Sequence, residues 1–464
     1  MQLKPLSIAF RATPAVTRLP FQFGITTLER TELWTARVEL EVAGVRGVGY
    51  SADLLVPKWF EKDPNKSLEE DLTTLKESSK AAAIAYLQNG VAPRPLFDLW
   101  KAVYDDRVAS QPEDAPDRLV RGFGVALIER ALMDALCRTI GCSFFDAWQR
   151  DLFGFDPGAI DPALANWRPL SHGGPAQSVA VRHTVGLADA LTPDEIAIDP
   201  GDGLPRCLTE DIERYGLTHF KLKVAGGKLE DRERLIAIAR VLRERVDAPR
   251  ITLDGNEQAE SALDFARFLD DLERDADARW LLEHTAYIEQ PLSRARSFEA
   301  SEAEGLAVLD QRCGVILDEA DHGLEAFPRG IDLGYRGVSI KNCKGVFRSA
   351  INAARCAQDE RLFQSAEDLT NLGALALQQD LATVALLGLP DVERNGHHYF
   401  PGLSHLSATE QRVAVGQHKD LYTPHDPLGG ELRIEKGRLQ LGSLHATGYG
   451  CAAVPPPGTP FGAA

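Results

Sequence analysis

The stretch THFKLKVAGGKLEDRERLIAIARVLRERVDAPRITLDGN (residues 218–256) contains two short apolar segments separated by a long charged one. The apolar segments, 218–224 and 250–254, have the length and composition of buried strands. Between them, residues 228–246 place apolar side chains at the 3.6-residue period of a helix, with charged side chains on the other face. A strand, a helix and a second strand in this order form the repeat of a fold with a parallel sheet.

The same alternation continues on both sides of this stretch. Strands are predicted at residues 179–187, 218–224, 250–254, 287–290, 314–318, 337–343 and 361–366. Helical stretches separate them, and this rhythm predicts a closed (β/α) barrel of the TIM type, whose usual size is about 250 residues. An open doubly wound sheet is the alternative, although no GxGxxG follows the first strand and no GxxxxGK[ST] occurs.

The N-terminal part has a different pattern, with strands before helices. Residues 33–42 and 45–50 alternate as an antiparallel hairpin does. Residues 68–89 and 115–140 have helical spacing, and Gly141 is placed to end the second helix. The order predicts an α+β unit over residues 1–150.

Two segments have the composition of loops. Residues 151–178 are rich in Pro, Gly, Asp and Asn and are predicted to form a long loop or linker. The chain becomes irregular after about residue 405, and its last stretch, AAVPPPGTPFGAA (452–464), is predicted to be a mobile tail.

Composition excludes several classes of protein. The net charge of −17, from 68 acidic and 51 basic side chains, argues against nucleic acid and anionic membranes as partners. The sequence contains no run of 18 consecutive apolar residues, so no membrane-spanning helix is predicted. The seven cysteines are scattered without a CxxC pair, and Cys137 and Cys343 lie in apolar runs typical of buried thiols. We therefore expect a reduced, cytoplasmic protein.

Charged residues stand near the carboxyl ends of the predicted barrel strands, where barrel enzymes build their active sites. In strand order they are Lys221 and Lys223, Asp254 and Asn256, Glu289, Asp318 and Glu319, and Lys341. One aspartate at a strand end is more often a helix cap, and one lysine in a strand is more often solvated. Chance does not explain an ordered series of three carboxylates with lysines on the flanking strands.

The three carboxylates predict a metal site. Asp254, Glu289 and Asp318 come from neighbouring strands and offer hard oxygen ligands, which suit one Mg²⁺ ion. No His or Cys joins the series, which argues against zinc. The second and sixth strands of an eight-stranded barrel lie on opposite sides, so Lys221 and Lys223 are expected to face Lys341 across the metal.

This arrangement favours removal of the proton α to a substrate carboxylate. The reaction forms a dianionic enediolate, which a metal stabilises by several kcal/mol as a Lewis acid. The base has to be neutral, and the cation of Lys221 disfavours the protonated form of its neighbour Lys223.

The motifs KLK (221–223), LDGN (253–256), IEQPL (288–292), LDEA (317–320) and IKNCKG (340–345) together resemble the enolase superfamily. Within it they are most similar to the muconate lactonizing enzyme subgroup of the mandelate racemase/muconate lactonizing enzyme family. The resemblance implies a modified, (β/α)7β barrel over residues 175–405 and a capping domain over 1–150. It also implies that residues 406–464 return to pack on the cap, and that the protein forms homo-oligomers.

The resemblance further implies roles for the residues above. Asp254, Glu289 and Asp318 would hold Mg²⁺, Lys223 and Lys341 would act as acid and base, and Lys221 would contact the carboxylate of a small-molecule substrate. Loops near residues 19–32 of the cap would close over the mouth of the barrel.

Some positions depart from related subgroups. The mandelate racemase subgroup has a His after strand seven, where this chain has FQSAEDL (363–369), so that branch is disfavoured. Dipeptide epimerases have an Asp-x-Asp after the last strand, and the nearest match here is Glu393-Arg394-Asn395.

Further residues are weaker candidates. Glu367 and Asp368 are expected either to contact substrate polar groups or to cap the following helix. His397 and His398 are expected near the mouth, where they either contact the substrate or form local hydrogen bonds. Glu319 is expected close behind the metal, with a lysine as its partner. Lys344 is expected at the surface or facing a phosphate.

Three functions remain open at this point. Two opposed lysines suit a racemase or epimerase. A lyase or cycloisomerase, such as an acid-sugar dehydratase or a muconate-type lactonizing enzyme, would use the same residues for its first half-reaction. A barrel that binds ligands without catalysis is the third, and retention of three carboxylates and three lysines argues against it.

Overall fold

The computed structural model of the chain describes residues 1–24, 26–171, 173–227 and 229–463. The strands are β1 (Gln2–Phe23), β2 (Thr26–Val42), β3 (Val45–Leu54), β4 (Arg94–Pro95), β5 (Ser178–Val185), β6 (His219–Lys223), β7 (Arg250–Asp254), β8 (Thr285–Glu289), β9 (Gly314–Leu317), β10 (Gly337–Ile340), β11 (Phe363–Ala366), β12 (Asp391–Arg394), β13 (Tyr422–Thr423), β14 (Glu431–Leu432), β15 (Arg438–Gln440) and β16 (Gly462–Ala463). The helices are α1 (Leu68–Asn89), α2 (Leu96–Tyr104), α3 (Arg118–Ile140), α4 (Phe144–Gln149), α5 (Leu208–Tyr215), α6 (Leu229–Arg245), α7 (Ala262–Leu272), α8 (Ala276–Glu283), α9 (Ala303–Asp310), α10 (Ala326–Leu333), α11 (Val346–Cys356), α12 (Leu375–Leu387), α13 (Gly396–Tyr399) and α14 (Ala408–Gln417).

Strands β5 to β12 form a closed barrel. Each is hydrogen-bonded to the next in chain order, and β12 closes the ring by pairing in parallel with β5, with Val392 opposite Val181. One further strand, β15, pairs antiparallel with β5. Closure confirms the predicted (β/α) barrel and shows that the open-sheet alternative is wrong. The predicted helix 228–246 is present as α6, and its first residue lies outside the described residues.

The eighth barrel strand was not among the predicted strands. Its sequence, DVER, has only one apolar residue, so the hydrophobic pattern gives no signal. Asp391 and Glu393 are polar because they face the barrel interior, where they contact the cations of Arg182 and Lys221. A strand with charged interior partners does not need an apolar core face.

The N-terminal part forms an antiparallel sheet in which β2 lies between β1 and β3. The predicted hairpin is present within the longer strands β2 and β3. Strand β1 was not predicted, because Pro5, Pro14 and Pro20 argue against a strand. Among the described residues β1 pairs on its second side only at residues 2–3 and 9–10, so it tolerates proline as an edge strand does.

Helices α1 and α3 cover this sheet. Helix α1 begins with a capping box in which Ser67 and Glu70 bond each other's backbone N–H groups. Helix α3 is buried over most of its length and ends at Gly141, whose φ of 74° is the left-handed conformation that glycine adopts readily. The predicted end of this helix is therefore confirmed.

The segments with loop composition are ordered by packing. Residues 151–178 contain two short 3₁₀ turns, each started by an aspartate that accepts a backbone N–H, and Phe153 and Phe155 of this segment are buried. Residue 172 lies outside the described part. At the end of the chain, Ala463 pairs with Ala9 of β1, which the prediction of a mobile tail did not anticipate. Residue 464 is not described.

The C-terminal segment contacts both parts of the molecule. Tyr449 stacks on Phe144 with ring centroids 3.9 Å apart, and its backbone N–H donates to Asp134 at 2.7 Å.

Cys137 and Cys343 are buried free thiols, as predicted. In the part of the chain that the structure describes, no helix is both long and apolar enough to cross a membrane.

Candidate active site at the mouth of the barrel

Lys221 lies at the centre of the candidate site. Side chains alternate along β6, so Phe220 and Leu222 are buried against the outer layer while Lys221 and Lys223 point into the barrel. The Lys221 ammonium lies 2.7 Å from Glu289 Oε2, 2.9 Å from Glu393 Oε2, 3.0 Å from Asp254 Oδ2 and 3.1 Å from Glu367 Oε2. Four strands thus direct a carboxylate at one cation.

The other two lysines each pair with one of the predicted metal ligands. Lys223 Nζ donates to Asp254 Oδ2 at 2.6 Å. Lys341, directly after β10, donates to Asp318 Oδ2 at 2.6 Å and to Glu367 Oε2 at 2.7 Å. The Trp59 ring lies 5.0 Å from the Lys341 ammonium, a distance at which a cation is attracted to the ring face.

The carboxylates form a group that fits a divalent cation. Glu289, Asp318 and Glu367 are buried, and one oxygen of each lies within 4.8 Å of the others. Both Glu289 oxygens lack a hydrogen bond within the described structure, although Oε2 is in ion-pair contact with Lys221. Asp254 is outside this close group and accepts a hydrogen bond from the Asn256 backbone N–H at 2.9 Å. Buried oxygen ligands of this kind suit Mg²⁺.

Charge in the site is strongly coupled. Burial and the nearby carboxylates of Asp254 and Glu367 raise the pKa of Glu289 well above its ordinary value. Burial alone would lower the pKa of Lys221 and Lys341, but the surrounding carboxylates raise the pKa of both lysines well above the usual range. Lys221 and Lys341 are therefore held as ammonium ions by the carboxylates around them.

The N-terminal part contributes one wall of the site. A cavity at the mouth contains the three lysines together with aromatic and aliphatic residues from the N-terminal sheet and the loop that follows it. These residues are Phe21, Phe23, Val56 and Trp59. The mouth thus combines ammonium groups, which suit an anionic group of a ligand, with an apolar wall.

Sequence comparison gives the family. Residues 205–453, more than half of the chain, match the family model described as enolase C-terminal domain-like. The chain belongs to the enolase superfamily of enzymes. No protein of curated function matches it in sequence.

Solved structures of this superfamily share the fold over nearly the whole chain. A muconate lactonizing enzyme from Pseudomonas fluorescens, complexed with muconolactone, is 15% identical, with a TM-score of 0.58 and 97% of both chains covered. An enolase from Bradyrhizobium, complexed with magnesium and mandelic acid, is 15% identical, with a TM-score of 0.59 and 97% and 96% covered. A dipeptide epimerase from Enterococcus faecalis, complexed with Mg and L-Leu-L-Tyr, is 16% identical, with a TM-score of 0.57 and 96% and 99% covered.

Lys344 of this enolase-superfamily chain is not where the sequence placed it. Its ammonium is buried and donates to Asp318 Oδ1 at 3.0 Å, to the Asp318 carbonyl at 2.8 Å and to Ser339 Oγ at 2.9 Å. The prediction of a surface or phosphate-facing lysine is therefore wrong. The reason is a 3₁₀ turn over Asn342–Lys344, which directs Lys344 back beneath Asp318.

Asn256 and Glu319 lie behind the lysines and carboxylates. Asn256 Nδ2 donates to Asp254 Oδ2 at 3.2 Å and lies 3.5 Å from Glu319 Oε1. The lysine near Glu319 is Lys62, whose ammonium is 3.5 Å from Glu319 and 2.6 Å from Glu257. Sequence reasoning missed Lys62 because it lies in a loop between β3 and α1, where no periodic pattern marks it.

Three interior residues of the superfamily barrel were also missed as site residues. Arg182 donates to Ser365 Oγ at 2.8 Å and lies 3.4 Å from Glu367 Oε1, while Thr184 donates to Glu393 Oε1 at 2.6 Å. Arg182 and Thr184 are two residues apart on β5, the same spacing as Lys221 and Lys223. That spacing was an available signal. Glu393 was named only as the nearest match to an Asp-x-Asp, and the weak apolar pattern of β12 gave no sign that it faces Lys221.

Glu367 and Asp368 differ in orientation. Glu367 faces the interior and contacts Lys221 and Lys341. Asp368 lines the mouth cavity and forms an ion pair with Arg394.

His398 lies elsewhere than expected. Helix α13 follows β12 and leads the chain behind the barrel wall, so His397 and His398 are buried between the barrel and α5. His398 Nδ1 is 2.8 Å from Asp211 Oδ2. Neither histidine is among the residues that line the mouth cavity. The predicted position near the mouth is corrected accordingly, whereas the local bond of His398 agrees with one of the two predicted alternatives.

Proposed function

We propose that this protein removes the proton on the carbon next to a substrate carboxylate, with Lys223 and Lys341 as the acid–base pair. The observation that carries the proposal is the concentration of three buried lysines and five interior carboxylates at the carboxyl end of one barrel. The carboxylates are Asp254, Glu289, Asp318, Glu367 and Glu393. Membership of the enolase superfamily supports it.

One Mg²⁺ is the proposed cofactor, held by Asp254, Glu289 and Asp318. The Mg-containing complexes of similar structures support a divalent cation, as does the all-oxygen donor set of this chain. When bound, Mg²⁺ supplies Lewis acidity toward the substrate carboxylate, which lowers the cost of the enediolate charge by several kcal/mol.

The lysines act on opposite faces of the substrate. Lys223 extends from the second barrel strand and Lys341 from the end of the sixth. One neutral amine accepts the α-proton, and the other lysine, as an ammonium ion, donates a proton to the opposite face. Asp254 and Asp318, each 2.6 Å from its lysine, fix the direction in which each Nζ points.

Lys221 has a different role in this proposal. Its ammonium is surrounded by carboxylates from four strands and is the most central cation of the site. We assign it to binding the substrate carboxylate, because a cation in a buried position stabilises an incoming anion more strongly than one in water.

Racemisation or epimerisation is the outcome that this pair of lysines supports best. A lyase or cycloisomerase is the second candidate, because dehydration and lactonization begin with or reverse the same proton transfer. The superfamily structures most similar to the chain include both an epimerase and a lactonizing enzyme. Glu393 and Asn395 stand where an Asp-x-Asp would bind a dipeptide amino group, so we favour a carboxylate other than a dipeptide.

The test is a screen for deuterium exchange. The protein with Mg²⁺ is incubated in D₂O with mixed amino-acid derivatives, dipeptides and acid sugars, and mass spectrometry detects incorporation at the α-carbon. Exchange without loss of water supports racemisation or epimerisation, whereas exchange coupled to loss of water or ring closure supports the second candidate. No exchange and no Mg²⁺ binding by calorimetry would favour a binding protein instead.

Two variants test the assignment of bases on any substrate so found. Lys223→Ala and Lys341→Ala should each abolish turnover, and one of them should still exchange the α-hydrogen of a single stereoisomer. The matched control is Lys58→Ala, which removes a buried lysine that pairs with Asp71, outside the mouth cavity. Wild-type rates in both active-site variants would show that the two-base assignment is wrong.

A further inference from the structure

A loop of the N-terminal part covers one of the two proposed acid–base lysines. Residues 55–67 connect β3 to α1, and we call them the cap loop. The Trp59 side chain of this loop is buried, and its ring lies 5.0 Å from the Lys341 ammonium, within the range of a cation–π contact. Val56 and Trp59 also line the mouth cavity. The cap loop therefore reaches the proposed acid–base group itself.

Carboxylates from the barrel surround the same lysine. Lys341 Nζ lies 2.6 Å from Asp318 Oδ2, 2.7 Å from Glu367 Oε2 and 3.9 Å from Glu289 Oε1. These partners are polar and belong to the barrel, whereas the Trp59 indole is an apolar contact from the N-terminal part. Together they leave Lys341 only 4% exposed. Moving the indole away would give the ammonium room to leave its position.

Arg294, in the loop after β8, holds the cap loop by its backbone. Arg294 Nη1 donates to the Phe60 carbonyl at 2.7 Å, and Nη2 donates to the Trp59 carbonyl at 2.9 Å. Buried carbonyls outside helices and sheets need partners of this kind. Because the guanidinium is a rigid planar fork, two successive carbonyls bound to it fix the orientation of the peptide that carries the indole.

Glu257, in the loop after β7, fixes Arg294 in turn. Its carboxylate accepts Arg294 Nε at 3.0 Å, Nη2 at 2.9 Å and the Arg294 backbone N–H at 2.6 Å. Lys62 of the cap loop lies 2.6 Å from Glu257 and donates to the Asn256 carbonyl at 2.9 Å. The Glu257 side chain is only 4% exposed, so water screens these charge-assisted bonds little. The loops after β7 and β8 thus hold the cap loop together.

The cap loop has a separate attachment on the side of the N-terminal part. Phe60 packs edge-on against Phe123 of α3, with ring centroids 5.1 Å apart, and edge-on against Trp59 at 4.8 Å. This aromatic packing does not involve Arg294. Loss of the Arg294 side chain should therefore release the cap loop from the barrel while Phe60 stays packed against α3.

We propose that Arg294 is a positioning residue for Lys341, and that it acts by holding the Trp59 indole against the lysine. The inference rests on the proposed function, in which Lys341 transfers a proton on one face of the substrate. Arg294 is not among the residues that line the mouth cavity, so its effect reaches Lys341 through the cap loop. Position is decisive for such a group, because a misplacement of about 1 Å costs roughly 100-fold in rate.

The first test measures deuterium exchange from each stereoisomer of the carboxylate that the D₂O screen identifies. Lys341→Ala and Lys223→Ala assign each stereoisomer to one lysine. Arg294→Met should slow exchange of the stereoisomer that Lys341 deprotonates about tenfold or more, and should change exchange of the other by less than about threefold. Equal slowing of both stereoisomers would indicate a general structural role and would overturn the proposal.

Two further variants test the route through the indole. Trp59→Leu should give the same selective loss, and adding Arg294→Met to it should cost little more, because both changes remove one contact. A full additional loss in the double variant would show that Arg294 acts by another route. The matched control is Arg296→Met in the same loop, since Arg296 bonds Glu302 and the Glu260 carbonyl and not the cap loop. It should exchange both stereoisomers as the wild type does.

A second measurement does not depend on catalysis. The protein with Mg²⁺ is treated with a trace of acetic anhydride at pH 9, and peptide mass spectrometry compares acetylation of Lys341 with that of the exposed Lys436. Arg294→Met and Trp59→Leu should each raise the relative labelling of Lys341 about threefold or more, because the cap loop no longer shields the amine. Unchanged labelling in folded Arg294→Met would overturn the proposal.

The labelling also separates this inference from the proposed function. Exchange that persists in Lys341→Ala would refute the proposed function, and labelling would then still decide whether Arg294 holds the indole on Lys341. If Arg294→Met does not fold, Arg294→Lys replaces it, because lysine keeps the charge beside Glu257 but lacks the planar fork. Wild-type labelling of Lys341 in Arg294→Lys would count against the proposal in the same way.

Discussion

Lys221 and Lys341 share one carboxylate oxygen: Glu367 Oε2 lies 3.1 Å from Lys221 Nζ and 2.7 Å from Lys341 Nζ. The two lysines come from the second and sixth strands of the barrel, and Glu367 comes from the end of the seventh. A shared anion allows two ammonium groups to lie close together in a buried site, where their repulsion would otherwise be large. Glu367 is thus an electrostatic part of the site whether or not it binds the metal.

Replacing this shared carboxylate should change the pH dependence of catalysis. Glu367 is among the carboxylates that raise the pKa of Lys341, so Glu367→Gln should lower that pKa. The limb of the pH–rate profile that Lys341 governs should then move to lower pH. The measurement is the rate of α-hydrogen exchange between pH 5 and 11. Glu360→Gln, on an exposed loop, is the control, and an unmoved profile in Glu367→Gln would contradict the prediction.

The affinity for Mg²⁺ should distinguish the proposed ligands from the neighbouring carboxylate of Glu367. Asp254→Asn, Glu289→Gln and Asp318→Asn should each weaken Mg²⁺ binding about 100-fold or more, because each removes a proposed ligand of a hard cation. Glu367→Gln should weaken it only about tenfold, through loss of a nearby charge. Calorimetric titration measures both effects. A larger loss for Glu367→Gln than for Asp254→Asn would mean that the close group of Glu289, Asp318 and Glu367 is the ligand set.

Part of this site was predictable from the sequence, because its residues lie at the ends of apolar strands that the hydrophobic pattern identifies. A polar residue that ends an apolar strand stands out, and the barrel geometry then brings all such residues to one mouth, as Lys223, Asp254 and Asp318 show. The same reasoning failed for Glu393, since its strand has charged residues on the interior face and only Val392 as an apolar marker. Sequence pattern detects side chains that contrast with an apolar background, and it does not detect polar strands.

Contacts between distant parts of the chain were the second feature that the sequence did not predict. Lys62 reaches Glu319 from a loop more than 250 residues away in the chain, and Lys344 turns inward because of one 3₁₀ turn. Local pattern gives neither the direction of a loop nor the partner of its side chain. The position of His398 was misjudged for the same reason, because the path of the chain after β12 depends on α13 and not on the strand.

A buried ion pair joins the N-terminal sheet to its helix layer and the barrel. Asp53 on β3 pairs with Arg130 on α3, and Asn371 from the loop after β11 donates to Asp53 Oδ1 at 3.1 Å and to Asp380 at 2.6 Å. Arg130→Met should lower the free energy of unfolding by about 3–5 kcal/mol, because it leaves the Asp53 charge buried and unpaired.

Calorimetric melting checks this prediction. The double variant Arg130→Met/Asp53→Asn should be more stable than the sum of the two single effects implies, because no charge is left unpaired. Lys101→Met, which breaks the exposed pair with Asp105, is the control and should change stability by less than about 1 kcal/mol. Equal losses in Arg130→Met and Lys101→Met would contradict a role for the buried pair.

Glu129 should make the folded state less stable as the pH rises. It is fully buried in α3, and one of its oxygens accepts the Phe347 backbone N–H at 2.7 Å. Burial, opposed by that hydrogen bond and by Arg130, raises its pKa from 4.5 to about 8. A carboxyl whose pKa is higher in the folded state stabilises the fold fully below the unfolded-state pKa, and this contribution is lost as the pH rises through the folded-state pKa. The loss therefore spans about pH 4.5 to 8 and amounts to several kcal/mol.

Glu129→Gln removes this titration, so its stability relative to wild type should rise by several kcal/mol between pH 5 and pH 8.5. Urea or thermal denaturation at both pH values measures the difference. The exposed substitution Glu360→Gln should show no such pH dependence, and a constant difference for Glu129→Gln would mean that Glu129 is already ionised in the folded protein.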